Sequence, residues 1–329
     1  MMDEANSLPP ANVSARSPAG GAGALAHGGA ARVGIVIACL VGLLLLAALP
    51  WLLGEFLLSL ALACLMYVGL ATSWSMFCGA TRYLSLGTAA FFGVGAYASA
   101  VLVESLPWVL VVASGALVAV LLAVVMGFLL LHLRGTYFAV LTFGMAELVR
   151  HAVTFFEKQV TGTVGRVLIV VPSAETVYLT VLAIAALSLL VAWLVRRSRF
   201  GLALRAIGSD EQRAQTLGVA VRPVKVAGFA LSAAFAGALG AAMAVRWTYI
   251  DPPAVFNAFI GFQTVLIALI GGAASLAGPA IAAVVFSLAS EVLRLQFPYA
   301  YMVVLGLLLM VAVLYLPEGL AGLWRRGRK

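Results

Sequence analysis

The sequence predicts an all-α fold, a polytopic bundle of transmembrane helices. Of its 329 residues, 64% are hydrophobic and only 10% are charged, whereas a soluble domain carries about 25% charged residues. The apolar residues form runs of about 20, which is the length an α-helix needs to cross the hydrocarbon core of a bilayer. Because so little polar surface cannot cover a water-soluble particle, the predicted environment of the chain is a lipid bilayer.

Ten apolar segments are candidate spans, although a count of eight is also compatible with the pattern. They lie at about 33–53, 56–78, 83–103, 108–131, 136–156, 177–195, 224–246, 256–272, 278–296 and 299–316. The assignment as a span is weakest for 136–156 and 256–272. The first exceeds the core of a signal peptide and is followed by more spans, which favours a retained helix.

The flanking segments complete the predicted domain organisation. Residues 1–32 are rich in Ala, Gly, Pro and Ser and lack an apolar run, so we predict a disordered cytoplasmic tail. Residues 33–320 form the transmembrane domain, and 321–329 form a basic cytoplasmic tail.

Positive charge predicts the orientation, because Lys and Arg accumulate in cytoplasmic loops. Basic residues precede the first span and follow the last, which places both termini in the cytoplasm and requires an even number of spans. Threading ten spans puts fifteen of the 20 basic residues on the cytoplasmic side. Eight spans satisfy the same parity if the two weak segments are re-entrant.

The sequence lacks the motifs that are typical of several other function classes. No GxxxxGK[ST] phosphate loop is present, so any ATP must be bound by another chain. The three cysteines lie in apolar segments without metal-ligand spacing, and no metal site or catalytic residue is predicted. The net charge of +8 is distributed between apolar runs, as membrane orientation requires, so we expect no nucleic-acid partner.

The segment 196–225 is the strongly polar interruption of the second half of the chain. Within it we predict a helix of about two turns, in which Ser209 is the N-cap and Gln212 completes a capping box. Asp210 and Glu211 then occupy the first turn, where the helix dipole favours acids. Gly218 suits the left-handed position after the helix. Such a helix either lies as a connector at the membrane surface or fits a groove on a cytoplasmic partner.

Two further groups are candidates for a substrate path. Ser85, Gly87 and Gly93 belong to a glycine-interrupted span, which indicates either close helix packing or an irregular backbone along a translocation pathway. Glu147 and Arg150 are three residues apart and share one face of a helix. They either line the path or form an ion pair that orients the helix.

Four stretches together resemble branched-chain amino-acid ABC transporter permeases of the LivM type. They are RSRFGLALRAIGSDEQRAQTLGV at 197–219, SLGTAAFFGVGAY at 85–97, LRGTYFA at 133–139 with ELVR at 147–150, and PEGL at 317–320. The resemblance covers about residues 56–323.

The resemblance implies a permease subunit of an ABC importer in a bacterial inner membrane. Its implied partners are two cytoplasmic ATP-binding subunits, a periplasmic substrate-binding protein and a second permease subunit, in a homodimer or, as the family suggests, a heterodimer. No cofactor is expected on this chain, since the partner subunits bind ATP. The implied ATPase-coupling helix lies within 203–218 and contains Arg205, Ser209, Asp210, Glu211, Gln212, Leu217 and Gly218.

One segment departs from the family pattern. Many relatives carry a TGG-rich external segment where this chain reads TGTVGR at 161–166. This leaves the cargo open between branched-chain amino acids and urea or short amides. The alternative from another class is a stand-alone secondary transporter or channel. That alternative usually requires several ionisable groups near the midplane, whereas this sequence offers one cluster.

Overall fold

The computed structural model describes residues 41–52, 54–133, 135–162, 164–168, 171–247, 249–297, 303–304 and 306–307. The predicted tails 1–32 and 321–329, the motif at 317–320 and nearly all of the tenth predicted span lie outside these residues. The chain divides into two units, Met1–Ala48 and Leu49–Lys329. The described part of the first unit is the beginning of one helix.

Helices account for most of the described chain, which confirms the all-α class. They are α1 (Val41–Leu52), α2 (Glu55–Thr81), α3 (Thr88–Leu102), α4 (Trp108–Leu130), α5 (Thr136–Thr161), α6 (Ala174–Arg197), α7 (Arg199–Ser209), α8 (Glu211–Thr216), α9 (Val221–Ala244), α10 (Pro252–Val255), α11 (Ala258–Gly271) and α12 (Ala277–Gln296). Two short strands, β1 (Arg166–Val167) and β2 (Tyr249–Ile250), pair antiparallel with Val167 opposite Tyr249.

Seven segments of the described chain are long and apolar enough to cross a membrane. They are α2, α4, α5, α6, α9, α12 and the segment Pro252–Gly271, which contains α10 and α11. Helices α1 and α3 are apolar but shorter. Both weak predicted segments therefore belong to candidate spans. The total of ten spans stays a prediction, since the last one is almost entirely outside the described residues.

Helix α9 is the centre of the larger unit. In its apolar stretch 78% of the residues are buried, against 22% in the apolar stretch of α5. Helix α9 packs against α2, α3, α4 and α6. Small residues allow these close contacts. A Cβ on Gly95 in α3 would lie 2.0 Å from the carbonyl oxygen of Gly237 in α9. Much of the α5 surface is left for lipid or for another protein.

Contacts between helix ends agree with the predicted threading from α2 to α12. Tyr83 follows α2 and bonds to Glu211 of α8, and Arg196 at the end of α6 bonds to the connection between α11 and α12. A separate group of contacts joins the end of α5 to Tyr97 in α3 and, through β1, to β2. Alternate connections therefore lie at opposite ends of the bundle.

The close approach of α3 and α9 is testable by adding one methyl group. We expect Gly95→Ala to destabilise the protein by about 1–3 kcal/mol, because the helices must separate to admit the Cβ. Gly144→Ala in α5 is the matched control, since a Cβ there meets no atom within 4 Å, and its stability should change by less than about 1 kcal/mol. Unfolding of both variants in one detergent measures the difference, and equal stabilities would contradict the packing argument.

Candidate functional site

The basic segment 196–225 is a helical unit rather than one loop around a single helix. Its ends belong to α6 and α9, and between them lie α7 and α8, here called the α7–α8 unit. The turn into α7 is tight: the Ser198 hydroxyl accepts a hydrogen bond from the Gly201 N–H at 3.1 Å. A Cβ on Gly201 would lie 1.9 Å from the Val195 carbonyl oxygen, so this sharp turn needs glycine. Sequence reasoning missed α7.

The predicted helix over 209–217 exists as α8, but its cap differs from the prediction. Asp210 is the N-cap, and its Oδ1 accepts bonds from the N–H groups of Gln212 and Arg213 at 3.0 and 3.1 Å. Ser209 is the last residue of α7, and its hydroxyl donates to the Ala206 carbonyl. The predicted Ser209–Gln212 capping box is therefore wrong. Asp210 has the extended backbone that an N-cap needs.

The end of α8 follows the prediction for Gly218. Its φ is +84°, the left-handed conformation that glycine adopts at low cost. The Gly218 N–H bonds to the Gln215 carbonyl, and the Val219 N–H bonds to the Ala214 carbonyl, each at 3.0 Å. This pair of bonds is a Schellman motif. It turns the chain so that Val219 packs on the small apolar cluster formed by Ile207, Ala214 and Val221.

The remaining predicted coupling residues are accessible on the α7–α8 unit, and one of them, Arg205, lines a cavity between α7 and the bundle. Arg205, Gln212 and Leu217 are exposed. Leu217 is 80% exposed, and Leu202 of α7, which the sequence did not single out, is 64% exposed. Two large apolar side chains thus face outward on a unit that is otherwise rich in arginine.

Glu211 has a different place from the others, because it binds a buried lysine. Its Oε1 lies 2.9 Å from the Lys225 ammonium, and its Oε2 accepts the Tyr83 hydroxyl at 2.8 Å. Lys225 also donates to Tyr83 Oη at 3.1 Å and to the Leu131 carbonyl at 2.7 Å. The side chains of Lys225 and Glu211 are only 4% and 13% exposed. We call these four residues the lysine clamp.

The lysine clamp ties α8 to three parts of the bundle. Lys225 lies in the first turns of α9, Leu131 ends α4, and Tyr83 belongs to the connection between α2 and α3. A buried charge that loses its partner costs several kcal/mol. Movement of α8 must therefore either carry these elements along or break the pair. Sequence reasoning assigned Lys225 to a cytoplasmic loop, although its position beside an apolar run was a signal of burial.

The Tyr83 connection runs back along α2 and contains two of the predicted path residues. Only Thr88–Leu102 of the predicted span 83–103 is helical. The Trp74 indole N–H donates to the Ser85 carbonyl at 2.8 Å, and the Gly87 N–H donates to the Ser85 hydroxyl at 3.2 Å. Ser85 therefore lies beside α2, about two turns before the end of that helix, and it comes shortly before the first residue of α3. The chain enters the bundle there without regular secondary structure, and the side chains of Trp74, Ser85 and Thr142 bond to its backbone groups.

A small cavity adjoins this entry. It measures about 10 Å³, which is close to the volume needed for one water molecule. Its polar lining is Ser73, Ser85, Thr88 and Ser232. Gly93 lies one turn further along α3, and a Cβ on it would meet the Phe256 ring at 2.3 Å. Close packing thus accounts for Gly93, whereas Gly87 meets only ordinary contacts.

Glu147 and Arg150 form the ion pair that their spacing indicates. The Oε2 and Nη2 atoms are 2.6 Å apart, and the two side chains are 29% and 30% exposed. The pair lies on α5, the least buried of the candidate spans. Its role in a substrate path stays a prediction.

A second polar cluster at the other end of the bundle was missed. The Glu157 carboxylate, on a residue that is 6% exposed, accepts the Tyr97 hydroxyl, the Gly165 N–H at 3.0 Å and Arg166 Nε at 3.3 Å. These bonds hold the divergent TGTVGR segment against α3 and α5. In the sequence, the one indication of this contact was that the oppositely charged Glu157 and Arg166 are only nine residues apart.

These features define a polytopic helical membrane protein with a structured, amphipathic helical unit at one end of its bundle. Residues 56–314 match the permease component of branched-chain amino acid transport systems, and the chain belongs to this family. It is similar to the high-affinity branched-chain amino acid transport system permease protein LivM of Escherichia coli (strain K12), with 28% identity over 322 residues. That match covers 87% of this chain and 75% of the relative.

The LivM protein of Salmonella typhimurium (strain LT2) is 27% identical with the same coverage. No solved structure matches the chain significantly. The matches confirm the resemblance that the four sequence stretches indicated, and they identify a transport protein rather than an enzyme as its relative.

The lysine clamp predicts strong coupling between Glu211 and Lys225. We expect Glu211→Gln and Lys225→Met each to destabilise the protein by about 3 kcal/mol, because Glu211→Gln takes the carboxylate away from the buried Lys225 ammonium and Lys225→Met takes that ammonium away from Glu211. The double variant should lose much less than the sum. Detergent-solubilised protein unfolded by denaturant gives the four stabilities of the cycle.

The exposed pair Asp210–Arg213 provides the control for this cycle. The Arg213 side chain is 86% exposed, so Arg213→Gln should change the stability by less than about 1 kcal/mol. Strictly additive losses for Glu211→Gln and Lys225→Met would mean that the clamp does not bind α8 to the bundle.

Proposed function

We propose that this chain is the membrane-spanning subunit of an ABC importer for branched-chain or related amino acids, powered by separate ATP-binding subunits. The observation that carries the proposal is the α7–α8 unit, which is exposed on its outer side and joined to the bundle by the lysine clamp. A bilayer-spanning bundle does not need such a unit. The family and the two LivM relatives support the transport role.

The outer surface of the α7–α8 unit suits docking of a cytoplasmic protein. Leu202 and Leu217 are exposed apolar side chains, and Gln212 and Arg213 are exposed polar residues of the same unit. An apolar centre with a polar rim is the usual composition of a protein–protein interface. We place ATP on the partner subunits, a second permease subunit beside this one, and a periplasmic binding protein at the Glu157 end of the bundle. The chain itself holds no cofactor in this scheme.

The lysine clamp provides the mechanical link in the proposed mechanism. ATP-driven closure of the partner subunits displaces α8, and Glu211 transmits the displacement to the Tyr83 connection, α4 and α9. The Tyr83 connection leads directly to Ser85 and Gly87 at the start of α3. The same displacement therefore reaches the segment where the backbone is irregular inside the bundle, which is typical of a translocation pathway.

Docking can be tested separately from the clamp. We expect Leu202→Ser with Leu217→Ser to reduce ATP-dependent uptake at least tenfold and to weaken co-purification of the ATP-binding subunits. Because both side chains are exposed, their removal costs little folding stability. The loss of uptake should therefore come from weaker docking of the ATP-binding subunits. Uptake is measured in proteoliposomes that contain all subunits and the binding protein.

Leu106→Ser is the matched control, because Leu106 is exposed at the opposite end of the bundle and should leave co-purification unchanged. Normal uptake and co-purification of the double variant would overturn the docking proposal. Uptake without any ATP-binding subunit would instead favour a stand-alone transporter.

The ion pair on α5 provides a test of the substrate path. We expect Glu147→Gln to lower uptake more than it lowers the amount of protein in the membrane, because glutamine keeps the shape and a hydrogen bond to Arg150 but removes the negative charge. Quantitative immunoblotting of membranes, together with uptake per molecule of transporter, measures both effects. Loss of the protein from the membrane with normal uptake per molecule would assign the pair to structure alone.

A further inference from the structure

A cavity of about 300 Å³ lies between the α7–α8 unit and the bundle. Its walls come from the last turns of α2, the end of α6, the inner face of α7 and the connection between α11 and α12. Among the lining residues are Arg82, Arg196, Arg205, Met76 and Val195. We call it the arginine cavity, because three of these residues are arginines and none is an acid.

The three arginines lack carboxylate partners in the part of the chain that the structure describes. Arg196 donates to the carbonyls of Ala274 and Ser275 at 2.8 and 2.5 Å. Arg205 donates to the carbonyls of Gly201 and Arg196 at 3.2 and 2.6 Å. These acceptors are neutral, so they position the guanidinium groups without cancelling the charge.

Each guanidinium retains N–H donors after these bonds, because arginine has five. The Arg205 guanidinium bonds the backbone carbonyl of Arg196, so two cationic residues lie on this wall of the cavity, and like charges repel. An anion in the cavity would remove this repulsion and use the remaining donors, and arginine forks match the geometry of phosphate oxygens.

The backbone at Arg82 adds an independent observation. Its φ of 59° makes it the one non-glycine residue with positive φ among the described residues. This left-handed conformation is unfavourable for a residue with a Cβ, and such residues concentrate at functional sites. It ends α2 and leaves the exposed Arg82 side chain on the cavity wall.

The size and location of the cavity indicate the kind of anion. Its volume is at the lower end of the range for small-molecule sites and exceeds what a bare inorganic ion needs. It lies at the ends of two candidate spans, on the side of the bundle that carries the α7–α8 unit, and Met76 and Val195 provide apolar wall. Basic pockets between helices on the cytoplasmic side of membrane proteins bind anionic lipid headgroups.

We propose that the arginine cavity binds a glycerophosphate-type anion, supplied either by an anionic phospholipid of the cytoplasmic leaflet or by a soluble phosphate ester. The side assignment rests on the orientation in the proposed function. A bound phosphate contacts α2, α6 and α7 together and so holds the α7–α8 unit against the bundle. The site therefore controls how freely that unit moves.

The test is binding to the purified full-length chain, without partner subunits or transport, so that its outcome is independent of the importer proposal. Phosphatidylglycerol and phosphatidylcholine are titrated separately into detergent-solubilised protein and bound lipid is counted by native mass spectrometry. Glycerol 3-phosphate and inorganic phosphate are titrated by calorimetry. We expect phosphatidylglycerol or glycerol 3-phosphate to bind, and whichever binds identifies the source.

Arg82→Gln is the main variant, since Arg82 is exposed and its side chain makes no hydrogen bond or ion pair with the residues that the structure describes. It should weaken binding about fivefold, the effect expected for one arginine near a membrane surface. Arg199→Gln is the matched control, because Arg199 is exposed on α7 but does not line the cavity, and it should bind like the unaltered protein.

Two results would overturn the proposal. One is binding of neither phosphatidylglycerol nor glycerol 3-phosphate above the level of phosphatidylcholine and inorganic phosphate. The other is an equal loss of affinity in Arg82→Gln and Arg199→Gln, which would show general attraction to a basic surface instead of a site. Arg196→Gln is unsuitable as the main variant, because its bonds to Ala274 and Ser275 support the α11–α12 connection.

Discussion

A buried ammonium group must keep its partners, and this requirement shapes the whole basic end of the molecule. The Lys225 ammonium is nearly inaccessible to water and has Glu211, Tyr83 and the Leu131 carbonyl around it. Each partner comes from a different part of the chain, so the positions of α8, α4 and the α2–α3 connection depend on one another. Helix α8 has six residues and cannot be stable alone. The lysine clamp and the small cluster around Ile207 hold it in place.

The bundle beneath this end combines a tightly packed centre with sparsely packed flanks. Helix α9 approaches α3 and α4 through glycine and alanine, whereas α5 leaves most of its surface uncovered. Two polar clusters of the described residues lie at opposite ends of the bundle, the lysine clamp at one end and the Glu157 cluster at the other. In the mechanism proposed above, these are the two ends that would open in turn. Each is joined by hydrogen bonds and an ion pair, whereas the centre is packed through small apolar residues.

The sequence predicted the parts of this arrangement that depend on local pattern. Most spans were recognised within a few residues, because their length and hydropathy are properties of contiguous segments. The position of α8 and the left-handed Gly218 followed from short-range rules of helix ends. The cap was misplaced by one residue, since Ser209 and Asp210 are both good caps and only the docking of α7 makes Ser209 helical. Glu211 was taken as a first-turn acid, and its main contact lies elsewhere.

By itself the sequence determined the membrane environment, the helical class, the family and the approximate location of the short helix α8. Hydrophobic runs, glycine positions and charge bias are encoded within tens of residues. Only the tertiary structure decided which charges meet. Tyr83 and Lys225 are 142 residues apart, and Arg196 reaches Ala274 across 78 residues. Such pairs depend on which helices pack side by side, and that depends on the summed burial of many side chains. No local pattern specifies it.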